Sequence, residues 1–192
     1  MRWSRSRWMV VVIGITVVGA TSCMASSSRP PECDPADRSL MLVAQSVPSG
    51  VRVPCVREIP AGWSFAGMQV TDSRTTMWLS TGVNDSQEVE ITFAPTCDIG
   101  EATEVTPSLD EIGSEIFQHF TSSDPIRGVR FQRFDGGCVA HRYAFPEGTP
   151  SSRLREAQEA VSTIPRSQLI RQVEHDFGET LCGAGAEPCE GI

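Results

Sequence analysis

The chain has 192 residues, with 16 basic side chains against 24 acidic ones and a formal net charge of −8. Nucleic-acid binding needs a basic surface, so this charge argues against that class of function. The chain has seven cysteines, and their number and spacing help to decide whether the protein works in an oxidising compartment.

The first 22 residues have the layout of an export signal or N-terminal membrane anchor. Arg2, Arg5 and Arg7 precede an uncharged, mostly apolar run over residues 9–20. Such a start keeps the N-terminus in the cytoplasm and sends the following chain across the membrane. As a helix the run would span about 18 Å, short of a hydrocarbon core of about 30 Å.

The residues after the apolar run are small, and Cys23 follows them directly. The segment Ala20-Thr21-Ser22-Cys23 resembles a bacterial lipobox, in which a signal peptidase cuts before the cysteine and a diacylglyceryl group is attached to its sulfur. The resemblance covers these four residues, and Ala20 stands where leucine is commonest. It implies a lipid anchor at Cys23, while an uncleaved helical anchor and simple secretion stay open. Each anchor would hold the chain on the outer face of the bacterial cytoplasmic membrane.

Six cysteines remain beyond Cys23, an even number typical of a disulfide-stabilised exported domain. The candidates are Cys33, Cys55, Cys97, Cys138, Cys182 and Cys189. Fifteen pairings are possible, and Cys182 and Cys189 are near enough in sequence to close a small loop. No two cysteines have the two-to-four-residue spacing of a zinc site, so we predict that they form structural disulfides. We predict no metal site and no cofactor.

Composition divides the chain into four segments. Residues 1–22 are the signal peptide or anchor, and residues 23–38, rich in Ser, Pro and Asp, are predicted to be a tether. Residues 39–181 suit one extracytoplasmic domain, and residues 182–192 form a cysteine-containing tail. Without the first 22 residues the chain keeps 13 basic and 24 acidic side chains, a net charge of −11.

Alternating apolar and polar residues predict strands in the first part of the domain. The predicted strands span residues 51–55, 66–71, 75–80 and 87–94. Pro54 cannot donate a backbone hydrogen bond, which places the first of them at a sheet edge. Glu88 and Glu90 share the polar face of the last.

A helix is predicted from Ser108 to residue 120, because Ser108 and Glu111 form a capping box before an apolar face. That face consists of Leu109, Ile112, Ile116, Phe117 and Phe120. His119 would lie near the end of this helix.

The chain then predicts a hairpin of residues 129–134 and 138–145, joined at Asp135-Gly136-Gly137. A helix over residues 153–164 should break at Pro165, and a second helix should end at Gly178. Strands followed by a helix, a hairpin and more helices favour a single α+β domain, with an antiparallel sheet and helices packed on one face.

The usual catalytic and nucleotide motifs are missing from the sequence. His141 on a hairpin strand and the pair Glu88 and Glu90 are the residues that a dispersed hydrolytic site would use. A solvent-facing strand surface and a packed histidine are the simpler interpretations.

Arginines cluster on the hairpin, four within sixteen residues: Arg127, Arg130, Arg133 and Arg142. Guanidinium groups bind phosphate and carboxylate through paired hydrogen bonds, so the cluster is a candidate anion-binding patch. The structural alternative is that Arg130 and Arg142 pair with Glu88 and Glu90 across the sheet.

Together these features predict a membrane-anchored extracytoplasmic binding or structural module of the bacterial cell envelope. Its expected partners are the cytoplasmic membrane, through the N-terminal lipid or helix, and an envelope protein or anionic polymer. The alternative is a small extracytoplasmic hydrolase with a dispersed active site. A concave pocket holding His141 would favour the enzyme, whereas a flat face with exposed arginines would favour binding.

Overall fold

The computed structural model describes residues 25–82 and 87–186. The predicted signal or anchor over residues 1–22, and with it Cys23, lies outside the described residues. Within the described ranges, no helix is both long and apolar enough to cross a membrane.

Within the described residues, strands form an antiparallel sheet of eight and a second sheet of two. In chain order they are β1 (Ala25–Ser27), β2 (Arg52–Val56), β3 (Ser64–Thr71), β4 (Arg74–Ser80), β5 (Val89–Ala94), β6 (Thr103–Val105), β7 (Glu115–Ser123), β8 (Ile126–Phe134), β9 (Gly137–Ala144) and β10 (Val161–Pro165). The large sheet has the order β1-β3-β4-β5-β9-β8-β7-β6, and β2 pairs with β10. The predicted strands of the first part of the domain and the predicted hairpin, now β8 and β9, are confirmed.

Three helices pack against one face of the large sheet and complete the predicted α+β domain. They are α1 (Arg38–Ser46), α2 (Ser151–Ala160) and α3 (Arg166–Phe177). Their buried side chains, such as Leu40, Ala157 and Leu169, join Ile91 and Phe93 of the sheet in one apolar cluster. Burial of such side chains contributes about 1.5–3 kcal/mol each.

The opposite face of the sheet carries a smaller apolar cluster at its β7–β8–β9 end. Phe117, Phe131 and Ala140 form it together with Cys138, whose disulfide to Cys97 draws the loop after β5 over this face. The sheet is therefore covered by helices on one side and partly by a loop on the other.

Disulfides stabilise the domain, as predicted. Cys33 is bonded to Cys55, and Cys97 to Cys138. Cys182 is disulfide-bonded as well, and Cys189, its suggested partner, lies outside the described residues. Each bridge is expected to contribute about 2–4 kcal/mol by restricting the unfolded chain.

The helix predicted to start at Ser108 is wrong beyond its first turn. The Ser108 N–H does donate to Glu111 Oε2 at 3.0 Å, as in a capping box. Only a 3₁₀ turn, Leu109–Glu111, follows. Gly113 then adopts a φ of +87°, which ends helical geometry.

After Gly113 the chain enters β7, which contains the remaining residues of the predicted helix. Ile116 and Phe117 are both buried, and as neighbours on one strand they face opposite sides of the sheet. Their apolar character therefore reflects a strand buried on both faces rather than one face of a helix. His119 accordingly lies on a strand.

The helix predicted over residues 153–164 is too long, because α2 ends at Ala160. The next residues form β10, in which Val161, Thr163 and Ile164 are β-branched and suit a strand. The predicted C-terminal helix is confirmed: Gly178 has a φ of +66° and its N–H donates to Glu174 O at 2.9 Å.

The folded domain begins before residue 39, within the predicted tether. Val56 N–H donates to Pro31 O at 2.7 Å, Cys33 is disulfide-bonded, and Asp37 caps the N-terminus of α1. At the other end, Ala184 N–H donates to Pro48 O at 2.8 Å, so the first part of the predicted tail also packs on the domain.

Candidate functional site

A polar cleft of about 590 Å³ lies where the hairpin β8–β9 meets α2 and β10. We call it the hairpin cleft. Its floor carries Arg130 and Gln132 from β8, and His141 and Tyr143 from β9. One wall is the loop with the 3₁₀ turn, and the other is formed by α2 and β10.

Strand register explains why these floor residues meet. Arg130 lies directly opposite His141, and Gln132 opposite Val139. Opposed residues of an antiparallel pair share a face, as do residues two apart on one strand. Tyr143 therefore lies on the same face as His141.

His141 is nearly buried, with 7% of its surface exposed, and its Nδ1 has no hydrogen-bonding partner among the described residues. Burial, together with the positive charge of Arg130, lowers its pKa to about 4, against the opposing effect of Glu111. The imidazole is therefore neutral at neutral pH.

Tyr143 is 2% exposed, and its ring is stacked against those of Phe120 and Phe145, with centroids 6.0 and 6.4 Å away. Burial raises the pKa of the phenol well above its ordinary value, although Arg130 and the nearby Gln158 side chain act in the other direction. Gln158 approaches the hydroxyl but does not reach hydrogen-bonding geometry, so within residues 25–82 and 87–186 the hydroxyl has no partner.

An ion pair joins the floor to the loop wall. Arg130 Nη2 lies 2.6 Å from Glu111 Oε1 and 2.8 Å from Oε2, and the two side chains are only 17% and 16% exposed. Burial opposes ionisation of Glu111, but hydrogen bonds from Ser108 and the charge of Arg130 outweigh it and lower the pKa of Glu111. The carboxylate is thus charged and neutralises the guanidinium.

A second ion pair joins the loop to the other side of the cleft. Arg57 Nη2 lies 3.0 Å from Asp110 Oδ2 and also donates to Ser162 Oγ at 3.0 Å. The pKa of Asp110 is lowered, chiefly by the hydrogen bond from the Ser108 hydroxyl. Consecutive carboxylates of the 3₁₀ turn therefore hold the loop to two arginines.

A hydroxyl and amide network fixes β10 to the floor. Gln132 Nε2 donates to Ser114 Oγ at 3.1 Å and to Thr163 Oγ1 at 3.3 Å. Arg52 Nε donates to the same Thr163 hydroxyl at 2.8 Å. These bonds connect segments far apart in sequence, which is why sequence patterns did not reveal them.

The four hairpin arginines, predicted as one anion-binding patch, are divided between the faces of the sheet. Arg130 alone lines the hairpin cleft. Arg133 and Arg142 lie on the opposite face, where Arg133 Nε is 2.7 Å from Glu115 Oε2. Arg127 Nη1 donates to the backbone carbonyl of Phe145 at 2.7 Å.

The suggested carboxylate pair does not form one site. Glu88 is fully buried and accepts hydrogen bonds from the Thr81 N–H and hydroxyl, each at 3.0 Å. Glu90 lies opposite Arg142 in the register, with 3.8 Å between its Oε1 and Arg142 Nε. The predicted Arg142–Glu90 pairing is thus present, whereas Arg130 takes Glu111 instead of Glu88.

Across residues 25–82 and 87–186, no group of three or more His, Cys, Asp or Glu side chains is arranged to hold a metal ion. His175, the third histidine, lies on α3 beside Asp176, with 2.9 Å between Nδ1 and Oδ1.

No protein-family model matches the chain, and no curated protein or solved structure is similar to it. A functional assignment therefore depends on the hairpin cleft and on the chemistry of its residues.

Proposed function

We propose that this protein is a membrane-anchored extracytoplasmic binding module of the bacterial cell envelope, and that the hairpin cleft binds a small polar ligand. The observation that carries the proposal is the pair of buried polar atoms at the floor, His141 Nδ1 and the Tyr143 hydroxyl, neither of which has a partner in the part of the chain that the structure describes. A buried polar group left without a hydrogen bond costs about 1–3 kcal/mol, and native proteins retain few of them. A ligand that satisfies both atoms would offset this cost.

The cellular location in this proposal is supported by the arginine-rich start, by Cys23 and by the disulfides. Disulfides persist in oxidising compartments, which agrees with export. Intact mass spectrometry of the protein taken from the membrane fraction tests the anchor. A diacylglyceryl group on Cys23 is the expected result, and a retained residue 2–20 segment would instead identify a helical anchor.

The single tyrosine of this chain allows a direct binding experiment. Tyr143 is the only tyrosine, and there are three histidines, so ¹³C labelling of both residue types gives a few assignable NMR signals. Full-length protein in detergent micelles is titrated with small sugars, amides, carboxylates and phosphates. We expect a binder that shifts the Tyr143 and His141 signals and leaves His175, on α3, unchanged.

Variants locate the site. Tyr143→Phe removes only the hydroxyl and should weaken the binding, which is followed through the His141 signal. Arg142→Gln changes a neighbouring residue on the opposite face and should leave binding unchanged. Binding that shifts His175 alone, or that Arg142→Gln abolishes, would show that the ligand site lies elsewhere.

A second candidate function is the small hydrolase, which is favoured by His141 lying in a concave cleft. In a catalytic triad a carboxylate orients the base through Nδ1, whereas no described residue bonds to His141 Nδ1. Hydrolysis of p-nitrophenyl acetate by the wild type, lost in His141→Gln, would support this candidate over the binding module.

A further inference from the structure

We infer that the hairpin cleft takes an uncharged ligand rich in hydroxyl and amide groups, of the small-saccharide class, rather than an anion. This inference rests on the proposed function, since it specifies the ligand of the same cleft.

The first argument is that the charges of the cleft are already matched. Arg130 is paired with Glu111, and Arg57 with Asp110. The other two charged residues of the lining, Arg155 and Glu159 of α2, have opposite signs. The lining thus has no net charge to attract an anion.

An anion would also have to displace a carboxylate that is firmly held. Glu111 keeps both of its oxygens within 2.8 Å of Arg130 Nη2 and accepts hydrogen bonds from the Ser108 hydroxyl and N–H. Hydrogen bonds in which a partner is ionised are roughly twice as strong as neutral ones. Freeing Arg130 for another anion would give up both of its charged contacts with Glu111.

The second argument is that the remaining polar groups are neutral and can both donate and accept. The imidazole of His141, the hydroxyls of Tyr143 and Ser162, and the amide of Gln158 share this property. Ligand hydroxyls and amides have the same dual character, so they can match each group in either direction. A phosphate or carboxylate can only accept.

The third argument is the cost of placing a charge at this floor. Burying an ionised group without a counter-charge costs far more than burying a hydroxyl that finds a hydrogen bond. His141 is a poor counter-charge because its burial and the adjacent Arg130 oppose its protonation. An uncharged ligand avoids this cost.

Access to the floor requires a small adjustment of one wall. The free atoms of His141 and Tyr143 each expose less than 1 Å², and the Gln158 side chain approaches the hydroxyl. Because Gln158 lines the cleft beside this hydroxyl, we infer that its amide turns aside to admit a ligand hydroxyl. The volume of about 590 Å³ falls within the range of small-molecule sites, about 300–1,000 Å³.

A set of sugars with one ring type and different charge tests the inference. Glucose and N-acetylglucosamine are uncharged, glucuronate and glucose 6-phosphate are anionic, and glucosamine is cationic. Each is titrated into the ¹³C-tyrosine and ¹³C-histidine labelled full-length protein, in a zwitterionic detergent without a sugar headgroup. We expect saturable shifts of the Tyr143 and His141 signals with an uncharged sugar, and none with the charged ones.

Two variants test how much the Tyr143 hydroxyl contributes to the affinity for the uncharged sugar. Loss of one hydrogen bond in Tyr143→Phe should weaken binding of the uncharged sugar by about three- to tenfold, read from His141. Arg142→Gln should leave the dissociation constant unchanged.

The possible failures are distinguishable. Tighter binding of glucuronate or glucose 6-phosphate at Tyr143 would overturn the uncharged ligand but leave the cleft as the binding site. No shift with any of the five sugars would overturn the saccharide class, while the wider fragment titration still decides the proposed function. Shifts confined to His175 would count against both.

Discussion

Arg130 and His141 lie directly opposite each other on β8 and β9, with a cation beside a neutral imidazole on one face of the sheet. Glu111 pairs with the guanidinium, yet Arg130 still adds to the effect of burial in lowering the pKa of His141. The floor of the hairpin cleft is therefore built to keep His141 unprotonated, and the stability of the domain should depend on pH for this reason.

The first prediction concerns stability between pH 5 and pH 7. The pKa of His141 is about 4 in the folded protein, against 6.5 for an ordinary histidine. Because the unfolded chain binds this proton more tightly, the free energy of unfolding rises with pH through the window from about 4 to 6.5 and is constant above it. Urea denaturation should show a free energy about 2 kcal/mol lower at pH 5 than at pH 7.

Two histidine variants separate this effect from other titrations. His141→Gln should remove most of the loss at pH 5, whereas His175→Gln, at a side chain 83% exposed, should retain it. The pKa values of Asp110 and Glu111 are lowered from 3.8 and 4.5, so their stabilising contributions are almost complete at pH 5 and are lost mainly below pH 4.5. An unchanged pH dependence in His141→Gln would refute the prediction.

The second prediction concerns the ionisation of Tyr143, which absorbance at 295 nm reports without interference because the chain has no other tyrosine. Burial raises the pKa of the phenol above its usual 10. We expect no ionisation step near pH 10 while circular dichroism shows the folded state. In guanidinium the step should appear at about pH 10. A step near pH 10 in the folded protein would mean that the hydroxyl is solvated.

The hairpin that carries the floor of the cleft was predicted from the sequence, but its register was not, because Gly137 was placed in the turn. The turn at Asp135 and Gly136 places Phe134 opposite Gly137. Counting outwards from that turn puts Arg130 opposite His141, and strand alternation adds Tyr143 to the same face. The predicted turn was one residue longer and set Arg130 opposite Arg142, so a one-residue difference in turn length decides which side chains share the floor.

The walls of the cleft were not within reach, because long-range pairing decides them. Residues 161–164 continue a helical pattern locally, yet they form β10 by pairing with β2, more than one hundred positions earlier. Likewise, Ser108 and Glu111 predict a helix start, and the positive φ of Gly113 turns the chain into β7. Local propensity is a weak prior that tertiary pairing overrides.

The third prediction concerns Arg166, which is buried beside the C-terminus of α1. Its Nη1 donates to Ala44 O at 2.8 Å, and its Nη2 donates to Cys182 O. A cation is favourable at the carbonyl end of a helix, and here it also connects α1 to the chain around a disulfide-bonded cysteine. Arg166→Met should lower the free energy of unfolding by about 2–4 kcal/mol, because it leaves buried carbonyls without partners.

The control for Arg166 is another arginine of α3. Arg171 is exposed, and Arg171→Met should change the free energy of unfolding by less than about 0.5 kcal/mol. Equal effects of the two substitutions in urea denaturation would show that the carbonyl contacts of Arg166 contribute little.

The last prediction concerns the ion pair that closes the cleft. Glu111→Gln removes the charge that pairs with Arg130 and weakens the bond to the Ser108 N–H, so the free energy of unfolding should fall by about 1–3 kcal/mol. Glu115→Gln is the matched control: Glu115 pairs with Arg133 across the neighbouring strands, but both side chains are about half exposed, and its loss should cost no more than about 1 kcal/mol.

Glu111→Gln also tests the coupling between the wall and the floor. Glu111 acts to raise the pKa of His141, so the NMR titration midpoint of His141 should fall in this variant. The unpaired Arg130 is then available to an anion, and glucose 6-phosphate should now shift the Tyr143 signal, which it should not do in the wild type. An unchanged His141 midpoint together with an unchanged sugar preference would mean that the Arg130–Glu111 pair governs neither the electrostatics of the floor nor the choice of ligand.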